Sequence, residues 1–277
     1  MREIANIVDS SVSLEHVAEK EKRLAPLVVY LIRHGESTSN KNDVSRELTP
    51  QGRAQVEEAT KKIINQLRVQ IAKSASKKGA EEIDEVLKSI KFRVYDSETP
   101  RTTEQAQIEK EVLLKNGIAE ENIYLLHPNS ESEDLDERKR KAGPGIKRRI
   151  GTVTESTPVF RKKLDDPDYQ KQLGAADGVI AWMIMPEEDI PVGVQSYPQV
   201  KESMNQTKKS LQQLAKRISD RGDAPVVVIA NSHAPRVTVA MAATFELNPR
   251  EMSMAGNAEG LRFTFNGQGE VEATLFK

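Results

Sequence analysis

The run LVVYLI, residues 27–32, constrains the chain more than any other stretch. It is continuously apolar and rich in β-branched side chains, which fits a buried strand covered on both faces. It then runs straight into Arg33, His34, Gly35 and Glu36, so a core strand ends in charge. Three further segments read as strands: KFRVYDS (91–97), NIYLLHP (122–128) and APVVVIANSH (224–233), the last closing on polar residues and His233.

Helical patterns separate these strands. In 48–71, Thr49 can cap and Pro50 suits the first turn, with Val56, Ile63, Ile64 and Leu67 at helical spacing. Thr99-Pro100 starts a second helix that Gly117 ends. Residues 197–222 carry a stripe of Val200, Met204, Leu211, Leu214 and Ile218, and 235–247 reads as helical too. KSASKKGAEE is a polar break, residues 1–25 a charged, partly helical extension, and 129–196 irregular. LRFTFNGQGEVEATLF is two alternating runs around Asn266-Gly267, the pattern of a terminal hairpin.

Strands alternating with helices imply βαβ units: a mostly parallel sheet with helices on both faces. Ligands of such sheets bind beyond the carboxyl ends of the strands. Arg33 and His34, Ser97, the acids after His127, and His233 are all delivered to that edge.

Composition narrows the partners. Forty-one Lys and Arg against 42 Asp and Glu leave a net charge of -1, which gives no general attraction to nucleic acid or membrane. There is no cysteine, so disulfides and thiolate metal sites are excluded. No apolar stretch nears membrane-spanning length and the N-terminus has no apolar signal core, so the expectation is a cytoplasmic protein, monomer or homodimer.

The residues at the shared edge suit an oxyanion. Arg33 and Arg101 offer planar donor forks, His34 and His233 are of a type that can titrate near neutral pH, and Ser37, Thr38 and Asn40 are small donors. Helix starts near Pro100 and Pro235 add N–H groups and positive dipole ends. A phosphate ester is the natural occupant.

These residues resemble the histidine phosphatase superfamily, which includes cofactor-dependent phosphoglycerate mutase. Arg33-His34-Gly35-Glu36 with Asn40 matches its first motif, and Leu48, Thr49, Gly52 and Gln55 match Leu-Thr-x-x-Gly-x-x-Gln. Ser97 with Arg101, and the late strand ending in Ser232-His233, complete the set across roughly 27–137 and 195–265. The resemblance implies a three-layer α/β/α sandwich of phosphoglycerate mutase-like type with an antiparallel C-terminal hairpin. The whole of 1–277 would be a single catalytic domain, with about 138–195 inserted as a lid.

The resemblance further implies phosphoryl transfer through a phosphohistidine on His34. Arg33, Asn40, Arg101 and His233 would hold the phosphate, with Ser37, Thr38, Arg138 and Ser232 near the substrate. The family places its acid after the third strand, where Leu135-Asp136-Glu137-Arg138 matches its pattern and points to Glu137. Glu131, Glu133, Asp134 and Asp136 stand beside it. Two departures are Ala234 for the glycine after the second histidine and Gln195-Ser196 for Glu-Ser. The segment 138–195 does not resemble that of a mutase. It favours a phosphatase over a mutase-type phosphotransferase, with a phospho-ligand scaffold as a third reading.

The plainer readings are structural. His16 and His127 read as ordinary histidines, and His34 alone would read as a packed strand-end residue. A metal on His34, Glu36 and His233 is opposed by two nearby arginines, so neither metal nor organic cofactor is expected. Seven basic residues, Arg138, Lys139, Arg140, Lys141, Lys147, Arg148 and Arg149, are either a solvated loop or a collar for a highly anionic substrate. Aromatics, at 4%, are too few to interleave that run for nucleic-acid stacking. Trp182 belongs to the core or to the apolar side of a lid.

Overall fold

The computed structural model describes residues 24–38, 46–74, 79–97, 99–126, 158–192 and 194–277. His16, Asn40, His127, Glu137, Arg138, the neighbouring acids from 131 and the basic run to 149 lie outside the described residues. Strands β1 (Leu27–Arg33), β2 (Lys91–Tyr95), β3 (Ile123–Leu126), β4 (Val226–Ser232), β5 (Gly260–Phe265) and β6 (Val271–Phe276) form one sheet in the order β3-β2-β4-β1-β5-β6. The pairs β3/β2, β2/β4 and β4/β1 are parallel, and β1/β5 and β5/β6 antiparallel. The two longest apolar strands, β1 and β4, are therefore neighbours at the centre. Their register aligns Arg33 with Ser232, the last residue of each.

Alternation along β1 builds the two faces. Val28, Tyr30 and Ile32 pack with helix α1 (Pro50–Ser74) through Ile63, Ile64, Leu67 and Ile71, with α2 (Ala80–Ser89) through Leu87, and with α3 (Pro100–Lys115) through Ala106, Val112 and Leu113. Leu27, Val29 and Leu31 face the other way. They meet α7 (Tyr197–Arg221) at Leu211, Ala215 and Ile218, and α8 (Ala234–Phe245) at Val237 and Ala240. Truncating a fully buried member such as Leu67 to alanine costs roughly 2–5 kcal/mol.

Between β3 and α7 lie α4 (Pro158–Leu164), α5 (Pro167–Leu173) and α6 (Gly178–Ile184). Asp166 caps α5, its Oδ1 accepting from Asp168 N at 2.9 Å, and Asp177 caps α6, accepting from Val179 and Ile180 N, both at 2.9 Å. Phe160, Ile180, Trp182 and Met183 join Val200 and Val239 in a third apolar cluster. Trp182 is core: 2% exposed, it donates from Nε1 to Gln195 O at 3.0 Å. Gln195 and Ser196 thus anchor the start of α7, where Ser196 N donates to Gln199 Oε1 at 2.9 Å.

Three sequence expectations are refined. Helix α2 begins inside the segment read as a polar break; Ile83, Val86 and Leu87 give it a short stripe, and Glu81 and Glu82 complement its N-terminal dipole. The part of 129–196 read as irregular contains three described helices of seven residues each. The terminal hairpin forms as expected. Its left-handed residue is Gly269 at φ 81° rather than Gly267, because Gly269 N turns back to Asn266 O at 3.0 Å. Among the described residues no helix is long and apolar enough to cross a membrane.

Candidate functional site

β1 carries Arg33 to the carboxyl edge, and His34 is pinned there by its N–H donating to Ser232 O of β4 at 3.0 Å. Its Nδ1 lies 2.7 Å from Gly35 O. A carbonyl only accepts, so Nδ1 bears the proton, and the neutral ring has its lone pair on Nε2. The residue is 7% exposed.

The loop after His34 is locked backbone to backbone. A Cβ on Gly35 would sit 2.4 Å from Gly52 O, and one on Gly52 2.0 Å from Glu36 O, so neither position accepts a side chain. Thr49 N donates to Glu36 O at 3.0 Å, and Gly52 N to Thr49 Oγ1 at 3.0 Å. Gln55 Oε1 accepts from Glu36 N at 2.9 Å. That N–H belongs to the peptide whose carbonyl receives His34 Nδ1–H. The stretch Leu48–Gln55 is thus the scaffold of the Arg-His-Gly-Glu loop. Ser37 bridges to Leu48, and exposed Thr38 donates its N–H to Glu47 O at 2.9 Å.

A second histidine stands opposite the first. His233 caps α8, and its ring centroid lies 5.3 Å from that of His34. Arg101, in the first turn of α3, approaches His233 Nδ1 through Nη2 at 3.2 Å; arginine only donates, so Nδ1 accepts. His233 Nε2 then carries the proton and donates to Ser97 Oγ at 2.7 Å, while Ser97 O–H donates to Thr102 Oγ1 at 3.1 Å. His233 is held neutral. Burial and then Arg101, His34, Arg236 and Arg33 press its pKa well below the ordinary 6.5.

The surroundings are cationic and nearly dry. Arg101 is 4% exposed and Arg236, in the first turn of α8, 2%. Burial lowers Arg236 to a pKa of about 10, which leaves it a cation at neutral pH. Burial also lowers Arg33, opposed by Asp177, reinforced by Arg101 and opposed by Glu259. Arg33 Nη1 donates to Ala255 O, and its Nε is buried with no hydrogen-bond partner among the described residues. Two buried guanidiniums in the first turns of helices, Arg101 and Arg236, with Arg33 half-buried at the end of β1, suit a compact oxyanion.

The structure thus unites Arg33, His34, Ser97, Arg101 and His233. Ser232 is fully buried, with its carbonyl committed to His34. Among the described residues no three His, Asp or Glu side chains converge as metal ligands. Glu36 turns its carboxylate to Thr49 Oγ1 at 3.2 Å. Arg236 also belongs to this set; its place three residues after His233, in the same helical turn, is a readable sequence signal. A buried amide–carboxylate cluster of Gln105, Glu109 and Asn231 behind Gly35 carries no such signal.

No protein-family model matches this sequence, and no curated protein matches it. Solved structures do. Bacillus stearothermophilus YhfR aligns with a TM-score of 0.50 and 15% identity over 90% of this chain and 96% of its own. A mycobacterial glucosyl-3-phosphoglycerate phosphatase aligns at 0.46 and 16% over 91% and 97%. An Entamoeba histolytica phosphoserine phosphatase in complex with 3-phosphoglyceric acid aligns at 0.42 and 16% over 91% and 95%. The chain shares the fold of YhfR: the α/β/α sandwich of phosphoglycerate mutase-like type, with a mostly parallel sheet.

Proposed function

We propose that this chain is a histidine phosphatase, a phosphomonoesterase that works through a phosphohistidine on Nε2 of His34. The observation that carries the reading is the fixed tautomer of His34: Nδ1–H on Gly35 O at 2.7 Å, Nε2 with the lone pair, among buried arginines. In the first step Nε2 attacks phosphorus, the ester P–O bond breaks, and a carboxylic acid protonates the leaving oxygen. In the second, the carboxylate takes a proton from water, the water oxygen bonds to phosphorus, the N–P bond breaks and inorganic phosphate leaves.

Arg33, Arg101 and Arg236 neutralise the non-bridging oxygens, joined by Asn40. A dianion among them offsets the charges that keep His233 neutral, raising its pKa so that it can take up a proton and donate to the phosphate. Glu137 is the acid of this reading, with Ser37, Thr38, Arg138 and Ser232 around the leaving group. The partner is a small phosphate ester, and neither metal nor organic cofactor takes part. The same reading has one catalytic domain, as a monomer or homodimer in the cytoplasm.

The test is a panel of phosphoglycerates, sugar phosphates, nucleotides and inositol phosphates, with release and isomerisation measured together. Phosphate release by wild type and none by His34→Ala is expected. Equal release by the two proteins would sink the nucleophile assignment, and isomerisation without net release would make the chain a mutase. For the acid, Glu137→Gln slows esters of poor leaving groups far more than activated aryl esters; equal slowing removes Glu137 from the role.

A further inference from the structure

Behind the His34 loop lies a closed set of polar contacts that the reaction above does not use. The peptide joining His34 to Gly35 donates its N–H to Gln105 Oε1 at 3.2 Å. Gln105 Nε2 donates to Asn231 Oδ1 at 2.6 Å and to Glu109 Oε1 at 3.0 Å. Asn231 Nδ2 donates to Glu109 Oε2 at 2.7 Å. Gln105 and Glu109 lie one turn apart on α3, Asn231 is on β4, and all three are at most 2% exposed.

The directions of these bonds are coupled. Both oxygens of Glu109 accept, which is the pattern of an ionised carboxylate. A proton on either oxygen turns it into a donor facing an amide N–H. If it faces Gln105, that amide turns over and offers Nε2, not Oε1, to the Gly35 N–H. If it faces Asn231, that amide turns over and presents Nδ2 to Gln105, which again draws Oε1 away from Gly35. Either way the Gly35 N–H loses its acceptor. A buried donor left without an acceptor is costly, so the loop shifts instead.

We propose that Glu109 is a positioning residue for His34: its carboxylate, acting through Gln105, holds the His34–Gly35 peptide and so sets where the adjoining Gly35 O receives His34 Nδ1–H, and its protonation releases that hold. The consequence for turnover rests on the reading of His34 as the nucleophile; the consequence for the imidazole does not. Burial raises the carboxyl to a pKa of about 7, against the smaller opposing effects of Asn231 and Gln105, so the switch falls in a physiological range. No charged side chain is among those influences. The titratable and charged groups at the site end of the network are His34, His233, Arg33 and Arg101.

The experiment uses the full chain as wild type, Glu109→Gln and Gln105→Leu. The rate of phosphohistidine formation from an aryl phosphate is followed against pH. In parallel, NMR of the imidazole nitrogens reports the Nδ1–H share of His34, assigned with His34→Ala. In wild type the rate falls roughly tenfold from about pH 8 to about pH 6, with KM little changed, and the Nδ1–H share falls with it. Glu109→Gln, whose amide places a donor where the protonated acid has one, is slow and flat across that range while remaining folded. Gln105→Leu is flat as well. Wild-type rate, tautomer and pH profile in both variants would overturn the proposal. If wild type forms no phosphohistidine, the nucleophile reading fails, and the NMR decides positioning by itself. A tautomer titration lost in Glu109→Gln supports it, and one that is unmoved overturns it.

Discussion

Each of the two central strands is followed directly by a buried histidine, and the two rings are wired in opposite senses. His34 gives its Nδ1 proton to a carbonyl of its own loop, so the lone pair is on Nε2. His233 has its proton on Nε2, committed to Ser97, and accepts from Arg101 at Nδ1. The same side chain at the same sheet edge is thus prepared as a nucleophile in one place and as a neutral partner of arginine in the other. Neighbours set this, not the residue: a backbone carbonyl that can only accept beside His34, a guanidinium that can only donate beside His233.

The largest expected effect separates the two roles outright. His34→Ala abolishes phosphoenzyme and lowers turnover by roughly 10^4-fold or more, the scale of losing a covalent nucleophile. His233→Ala keeps a slow phosphoenzyme and loses about 10^2 to 10^3-fold, the scale of losing one oxyanion-stabilising donor. Acid-quench trapping of phosphohistidine in both variants checks this. Phosphoenzyme in the first and none in the second would reverse the assignment.

Stability against pH distinguishes the wiring next. The folded pKa of His233 is depressed, so its contribution is present above its ordinary value of 6.5 and is lost as pH falls below it. Glu109 has the opposite sign. Its folded pKa is raised to about 7, so its contribution is complete below 4.5 and is lost as pH rises through about 7. Denaturant midpoints across pH should show His233→Gln flattening the acid-side loss. Glu109→Gln should remove the alkaline-side loss of stability that wild type shows as pH rises through about 7. A Glu109→Gln protein that keeps the wild-type loss of stability between about pH 5 and about pH 8 contradicts a buried carboxyl that ionises in that range.

What the sequence disclosed follows the same division. Arg33, His34 and His233 were legible because they interrupt apolar runs, and strand ends of parallel sheets have a known use. Gly52 and Gln55 were legible as a motif, but their task of bracing the Gly35–Glu36 peptide was not, since it depends on a contact between distant backbones. Gln105, Glu109 and Asn231 were hidden because periodicity treats a polar residue as solvent-facing, whereas these satisfy one another inside the core. The helices of 158–184 were hidden by length. At seven residues each, they carry too few turns to display a stripe. The sheet order was beyond reach as well, because insertion of β4 between β1 and β2 is a long-range choice.

The smallest effect probes how firmly the second histidine is wired. One chain of donors fixes its tautomer: Arg101 into Nδ1, Nε2–H into Ser97, Ser97 O–H into Thr102, and Thr102 O–H into Thr99 O at 3.0 Å. The ends are an obligate donor and an obligate acceptor, so no link can reverse alone. Thr102→Val keeps the shape of a fully buried side chain and removes the acceptor of Ser97 O–H. Ser97 then turns its proton toward His233, the Nε2–H form loses its acceptor, and the ring is driven to Nδ1–H against Arg101. The expected cost is about 1–3 kcal/mol of stability with a fewfold loss of phosphate affinity, while His34 keeps its tautomer. Calorimetric binding of inorganic phosphate and the imidazole NMR signals read both. If Thr102→Val leaves the His233 tautomer and phosphate affinity as in wild type, the ring is fixed by Arg101 and burial alone, and the hydroxyl chain is incidental to the difference between the two histidines.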